Sequence, residues 1–355
     1  MKRTLEVSPP LQRRALITGL EGLSMTDAEM CFLAATRPLG IILFARNCET
    51  HDQIRRLVAN ALEAIGTDET LVLIDQEGGR VQRLRPPLGR DLPPAAAYAA
   101  RYEAGDCDGA CAAVEAASRL VARDLRDLGI NTNCTPVLDL PVQGAHAIIG
   151  DRAFGTTVEQ VVRLGRAVAT GFMSGGVLPV IKHIPGHGRA TKDSHLDLPV
   201  VDTPRAELSR TDFAPFKALA DIPAAMSAHV VFTAVDPDAP ASTSAKVTAD
   251  VIRGEIGYDG LLMSDDLGMH ALKGTMRKRA EAVIQAGSDV ALHCSGNLAE
   301  MEEASAGVPD LAGNALRRAQ SALAVLKNQE EFDIAAAEYQ LAEVLTGHTR
   351  RSESV

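Results

Sequence analysis

Eight short apolar runs recur along this chain, separated by segments of helical spacing, and that alternation constrains the fold more than any other feature. The runs are Ala15–Gly19, Gly40–Ala45, Leu71–Asp75, Asn131–Leu138, Leu178–His183, Ala224–Phe232, Gly260–Ser264 and Asp289–His293. Most are near-continuous rather than alternating, the pattern of strands covered on both faces. Between them, His51–Ile65 repeats apolar residues at helical spacing, Gly109–Leu128 is alanine-rich and amphipathic with Gly129 to stop it, and Thr26 with Glu29 has the spacing of a capping box. Val158–Met173, Arg205–Leu219, Met276–Ala286 and Leu311–Leu326 complete the series. Eight strand–helix units predict an α/β fold, a (β/α)8 TIM-type barrel in a single catalytic domain over residues 1–330. Residues 331–355 read as a helical or frayed tail that packs outside it. An open doubly wound sheet finds little support, because no GxGxxG follows the first run.

Right-handed crossovers put the carboxyl ends of all eight strands on one rim. The polar residues at those ends are therefore predicted to converge. The third run ends in IDQEGGRVQR, with Asp75, Arg80 and Arg83, and the fourth unit carries IIGDRAFG, with Asp151 and Arg152. The fifth ends in KHIPGHGRATKDSH, residues 182–195, which holds Lys182, His183, His187, Asp193 and His195. The sixth contains Ser227 and His229, and the seventh ends in MSDDLGM, with Asp265 and Asp266.

Each of these residues has a structural reading beside a chemical one. Asp265 can cap the next segment, a role that suits Asp266 better, or can stand as a carboxylate at the barrel mouth. Asp193 and His195, two apart, share one side of an extended loop. The carboxylate can then hold the imidazole and fix its tautomer, either to stabilise the loop or to prepare a group that gives and takes a proton. His183, His187 and His195 make a metal site conceivable. Pro185 and Gly186 break the helix that would present the first two together, and Lys182 suits a hydroxyl or anion better than a cation. Neither a metal nor a cofactor is expected. Arg80, Arg83, Arg85 and Arg90 form either a local basic pocket or a solvated loop.

Composition narrows the partners. The net charge of −10 disfavours a broadly electrostatic nucleic-acid binder. Six cysteines without CxxC pairs read as reduced thiols. No run approaches a membrane span, and the N-terminal MKRTLEVSPPLQRR lacks the apolar core of a signal peptide. A cytoplasmic protein is expected, a monomer or weak homo-oligomer, with no nucleic-acid or membrane partner.

In order along the chain, DQEGGRVQR, GDRAF, KHIPGHG, DSH and SDDLGM resemble the motifs of the β-N-acetylglucosaminidases of glycoside hydrolase family 3, specifically the short, single-domain bacterial enzymes of the NagZ type. The likeness spans roughly residues 15 to 300. It implies a retaining exo-acting enzyme that releases terminal β-linked N-acetylglucosamine from amino-sugar substrates. For the short members these are 1,6-anhydro-N-acetylmuramic acid peptides released from peptidoglycan in the cytoplasm. It further implies Asp265 as nucleophile, His195 as acid/base with Asp193 as its orienting partner, and Asp75, Arg83, Arg152, Lys182 and His183 as sugar-binding residues. Two departures stand out. Gly268, Met269 and His270 replace the usual sequence after SDDL, at the expected start of a helix, and Ile184 replaces a frequent Phe, which is expected to loosen a pocket wall.

Overall fold

Apolar strands need cover on both faces, and a closed barrel inside a ring of helices supplies it. A computed structural model describes residues 12–142, 144, 148–190 and 198–352. Eight strands close the barrel: β1 (Arg14–Gly19), β2 (Pro38–Leu43), β3 (Leu71–Ile74), β4 (Thr132–Asn133), β5 (Leu178–Ile184), β6 (Ala224–Ser227), β7 (Leu261–Asp266) and β8 (Val290–His293). Every neighbouring pair is parallel, and β8 closes onto β1 through Leu16 opposite Ala291 and Ile17 opposite Leu292. Ile17, Ile41, Val72, Val180, Leu261 and Ala291 are fully buried. The (β/α)8 barrel read from the sequence is the observed fold.

Local chemistry sets the helix ends. Thr26 accepts from the Glu29 backbone while the Glu29 carboxylate takes the Thr26 N–H, closing the capping box. His51–Ile65 follows its apolar spacing with Thr50 as cap, and the long helix spans Cys107–Asp127, capped by Asp106. Three expected elements differ. The fourth run makes a ladder only at Thr132–Asn133, because Pro136 has no N–H to give; irregular bonds, Lys182 N to Pro136 O and Leu138 N to Lys182 O, carry it on beside β5. The sixth leaves the barrel after Ser227, and Val231–Phe232 pairs with Val200–Val201 outside it. The helix expected over Arg205–Leu219 is two, Arg205–Arg210 and Phe213–Ala218. Pro215 cannot bond to the carbonyl four residues back, so the break falls at Thr211–Asp212.

Helices at Ala95–Glu103 and Leu298–Ala306 and a wide-turn helix at Val247–Glu255 have no counterpart in the sequence reading. Ile334–Ser352 is helical and lies on Cys107–Asp127, with Ala337, Leu341 and Val344 buried and Arg90 linking Asp124 to Glu338. No helix among the described residues is long and apolar enough to cross a membrane.

Candidate active site

At the carboxyl ends of the strands lies a cavity of about 420 Å³. Two β-bulges decide which side chains enter it. Along β5, Lys182 pairs with Met226 and Ile184 with Ser227, so His183 is an extra residue against β6. Along β7, Met263 pairs with Val290 and Asp266 with Leu292, three steps against two. A regular strand would send consecutive side chains to opposite faces. With the bulges, Lys182 and His183 both line the cavity, and so do Asp265 and Asp266.

The loop after β3 supplies the opposing charges. Gln76–Gly78 and Val81–Gln82 form a short antiparallel ribbon. The buried Gln76 ties it down: Asn133 Oδ1 accepts its N–H, and its own Oε1 accepts from the Arg83 and Leu84 amides. Asp75 and Glu77, on either side, both line the cavity. Lys182 Nζ donates to Asp75 Oδ1 at 3.0 Å and pairs with Glu77 Oε1 at 2.6 Å. Arg83 Nη2 donates to Asp75 Oδ2 at 2.9 Å. Arg152 grips Glu77 through two bonds of 2.8 Å. The result is a chain of alternating charge, Arg83–Asp75–Lys182–Glu77–Arg152, with Lys182 and Glu77 almost wholly buried.

Burial opposes each ionised form here, but the partners prevail. Lys182 and Arg83 hold the Asp75 carboxyl well below the usual carboxylate range. Lys182 and Arg152 hold Glu77 down in the same way. The two carboxylates in turn raise Lys182 above its ordinary value despite its desolvation. Asp75, Glu77, Lys182 and Arg152 stay charged across the neutral range. Lys182 has three donors and uses two, and each Asp75 oxygen has lone pairs to spare, so both can still bind hydroxyls in the cavity.

Two further residues stand behind this wall. Asp139, fully buried, accepts from the His183 and His187 amides at 3.2 and 2.7 Å and from His183 Nδ1 at 2.6 Å. Burial works against its charge, but His183 keeps it below the carboxylate range. An ionised carboxylate only accepts, so His183 Nδ1 carries a proton and donates it to Asp139, which fixes the ring at the cavity lining. Asp266 Oδ1 accepts from the Gly268 and Cys294 amides, both at 3.0 Å, and its own N–H donates to Asp265 Oδ1 at 2.8 Å.

The structure brings Asp265, Asp75, Arg83, Arg152, Lys182 and His183 to one cavity. Asp193 and His195 lie outside the described residues. The arginine cluster divides: Arg80 and Arg83 line the cavity, Arg85 bonds the Gly79 and Arg80 carbonyls, and Arg90 serves the C-terminal helix. Arg80 also pairs with Asp151. Ile184 is fully buried in the core beside Phe213 and Phe216 and is not among the residues lining the cavity, so the expected loosening of a pocket wall is corrected. Gly268, Met269 and His270 lie in turns, and the next helix starts only at Met276. Among the described residues, no group of three or more His, Cys, Asp or Glu could hold a metal. The sequence reading missed Glu77 and Asp139. Glu77 was legible two residues past Asp75 on the same face of an extended segment, and Asp139 as a lone acid directly after Val137 and Leu138.

Comparison with known proteins shows the family and the fold. The glycosyl hydrolase family 3 N-terminal domain matches residues 17–326. A beta-hexosaminidase from Alkalilimnicola ehrlichii is 41% identical over 284 residues, 79% of this chain and 80% of that protein. NagZ from Neisseria gonorrhoeae, solved in complex with N-trifluoroacetyl-D-glucosamine, superposes with a TM-score of 0.83 at 32% identity, covering 95% of this chain and 99% of that one. A family 3 β-N-acetylglucosaminidase from Paenibacillus sp. gives a TM-score of 0.80 at 29% identity, with 93% of this chain covered and 66% of that one.

Proposed function

This chain belongs to glycosyl hydrolase family 3, and from that premise we propose that it is a retaining exo-β-N-acetylglucosaminidase in which Asp265 is the nucleophile. It is a glycoside hydrolase of the β-hexosaminidase kind. The observation that carries the finer reading is the entry of Asp265 into the cavity that holds Asp75, Lys182, His183, Arg83 and Arg152. A carboxylate facing a wall of fixed hydrogen-bonding groups is what displacement at an anomeric carbon requires.

Asp75 and Lys182 bind hydroxyls of the terminal sugar, with Arg83 and Arg152 holding them in place, and His183 presents Nε2 to the ring. Asp265 attacks the anomeric carbon to form a glycosyl ester. His195, oriented by Asp193, protonates the departing oxygen and then deprotonates the water that releases the sugar. A retaining pair works at a separation of about 5–5.5 Å. An imidazole here adds no second negative charge beside the nucleophile while the ester is hydrolysed.

The substrate follows from the resemblance and from the charge of the site. Terminal N-acetylglucosamine on 1,6-anhydro-N-acetylmuramic acid peptides, met in the cytoplasm during peptidoglycan recycling, fits an exo-acting pocket of this size. The test uses 4-nitrophenyl β-N-acetylglucosaminide beside the β-glucoside, with a slow fluorinated substrate to trap the intermediate for mass spectrometry. Cleavage of the first and a label on Asp265 are expected. Wild-type turnover by folded Asp265→Ala refutes the reading. His195→Ala slows the natural disaccharide peptide more than the nitrophenyl substrate, because a good leaving group needs little protonation; equal slowing removes the acid role.

A further inference from the structure

We propose that His229 is a positioning residue for the Asp265 carboxylate, acting through the main chain of Asp266 and held in turn by Ser242. The inference rests on Asp265 being the nucleophile.

His229 follows β6, is fully buried and is absent from the lining of the cavity, so it does not touch substrate. Its Nε2 lies 3.0 Å from the Asp266 carbonyl and its Nδ1 2.6 Å from Ser242 Oγ. A carbonyl only accepts, so Nε2 carries a proton and donates. Burial lowers the affinity of the ring for a second proton; Asp265 and Asp266 pull the other way and His183 adds to the lowering. The neutral ring therefore has one tautomer that satisfies every atom: Ser242 O–H donates to Nδ1, and Nε2–H donates to Asp266. Ser242 is itself buried and anchored, its N–H bonded to the Ala228 carbonyl at 3.1 Å.

Asp266 needs this support because of where it sits. The bulge in β7 breaks its register with β8 between Met263 and Asp266, and the pairing with β6 stops at Ser264 opposite Ser227, so the ladder alone does not fix the peptide planes of Asp265 and Asp266. Other contacts hold them: the Asp266 carboxylate accepts from the Gly268 and Cys294 amides, Ser264 Oγ accepts from the Leu292 amide, Leu267 N–H donates to the Leu292 carbonyl, and the Asp266 carbonyl accepts from the Met269 amide at 3.1 Å and from His229 Nε2 at 3.0 Å. With those fixed, the Asp266 N–H meets Asp265 Oδ1 at 2.8 Å and aims the carboxylate into the cavity. Without His229 the Asp266 carbonyl keeps only the Met269 amide as donor, and the turn that follows Asp265 is held less firmly. Nucleophilic displacement is sensitive to such shifts, since about 1 Å of misplacement costs roughly 100-fold in rate.

The experiment compares His229→Gln, whose amide nitrogen reaches the place of Nε2, with His229→Asn and His229→Leu, which cannot. Steady-state kinetics on 4-nitrophenyl β-N-acetylglucosaminide are read with the rate of trapping by the slow fluorinated substrate. We expect kcat and the trapping rate to fall about 30-fold in the Asn and Leu variants with KM within about threefold, and the Gln variant to recover to within about threefold of wild type. If His229→Leu does not fold, the Gln and Asn pair decides, because both are polar amides and differ only in reach. Equal activity of that pair, or parallel changes in KM and kcat, overturns the inference. Turnover by Asp265→Ala sinks the nucleophile reading itself. An inactive Asp265→Ala beside an unimpaired His229→Asn sinks only the role of His229.

Discussion

One ammonium, Lys182, sits between two carboxylates, and two guanidiniums close the ends of that row. The arrangement is stable only while every charge keeps its neighbour. Removing one partner of a buried pair leaves an uncompensated ion and costs about 3–5 kcal/mol, far more than losing an exposed pair. Glu77 serves two cations, so Glu77→Gln strands Arg152 and leaves Lys182 with Asp75 alone. We expect it to destabilise the fold by roughly that amount in urea unfolding; a change under about 1 kcal/mol shows that the row tolerates gaps. Asp139 acts one step further back. Asp139→Asn weakens the grip on His183 Nδ1 and frees the ring to turn its Nε2 away from the sugar. Loss of one ground-state hydrogen bond of about 1.4 kcal/mol predicts a roughly tenfold rise in KM with kcat changed less. A fall in kcat at unchanged KM contradicts that role.

Elements place these residues, and backbone clearance fixes the stem of the β5 loop. A Cβ at Gly188 would stand 1.9 Å from the Leu140 carbonyl oxygen and 2.8 Å from its nitrogen, so neither chain can yield cheaply. Gly22 has nothing within 4 Å of such an atom. Gly188→Ala is therefore predicted to cost about 1–3 kcal/mol in urea unfolding and Gly22→Ala under about 0.5 kcal/mol; equal effects remove the packing argument. The strands were legible because burial on both faces leaves unbroken apolar runs, and Ile41, Val72 and Val180 needed no tertiary information. Where a run bends out of the barrel, as after Ser227, hydropathy stays high and gives no sign of the departure. Bulges are silent in the same way: nothing in the residues of β5 shows that Lys182 and His183 share one face. The site was legible as a set of polar strand ends. Its inner wiring was not, because Asp139 and Glu77 find their partners on other strand–helix units. Asp139 meets His183 44 positions away, and Arg152 reaches back 75 positions to Glu77. Ile184 shows the reverse error, a residue next to the site in sequence that turns into the core.

At the scale of the molecule these groups make stability depend on pH with a definite sign. His187 is buried against His183 and Asp139, and burial with the nearby His183 lowers it to about 4, with Asp139 and Asp265 pulling upward. His229 is lowered in the same direction. Below the ordinary histidine value of about 6.5 the unfolded chain takes protons that the folded chain refuses, so stability falls as pH drops through that window. Asp75, Glu77 and Asp139 lie below the ordinary carboxylate value, so their contribution is complete above about pH 4 and fades only under it. Lys182 is raised, so its contribution is complete below about pH 10.4 and is lost only above. Asp212 works against the acid trend, because burial raises its carboxyl. The fold is thus expected to be most stable between about pH 7 and pH 8.5, with the first decline on the acid side set by histidine rather than by carboxylates and the alkaline decline begun by Cys48, Cys134 and Cys294, whose buried thiols resist the ionisation that the unfolded chain allows. Urea unfolding at pH 7 and pH 4.5 tests this, with His187 alone contributing a loss of about 2–3 kcal/mol between the two. In His187→Asn that part of the loss disappears, whatever the variant does to absolute stability. The same pH slope in the variant and the wild type assigns the acid sensitivity to other groups and removes His187 from the account.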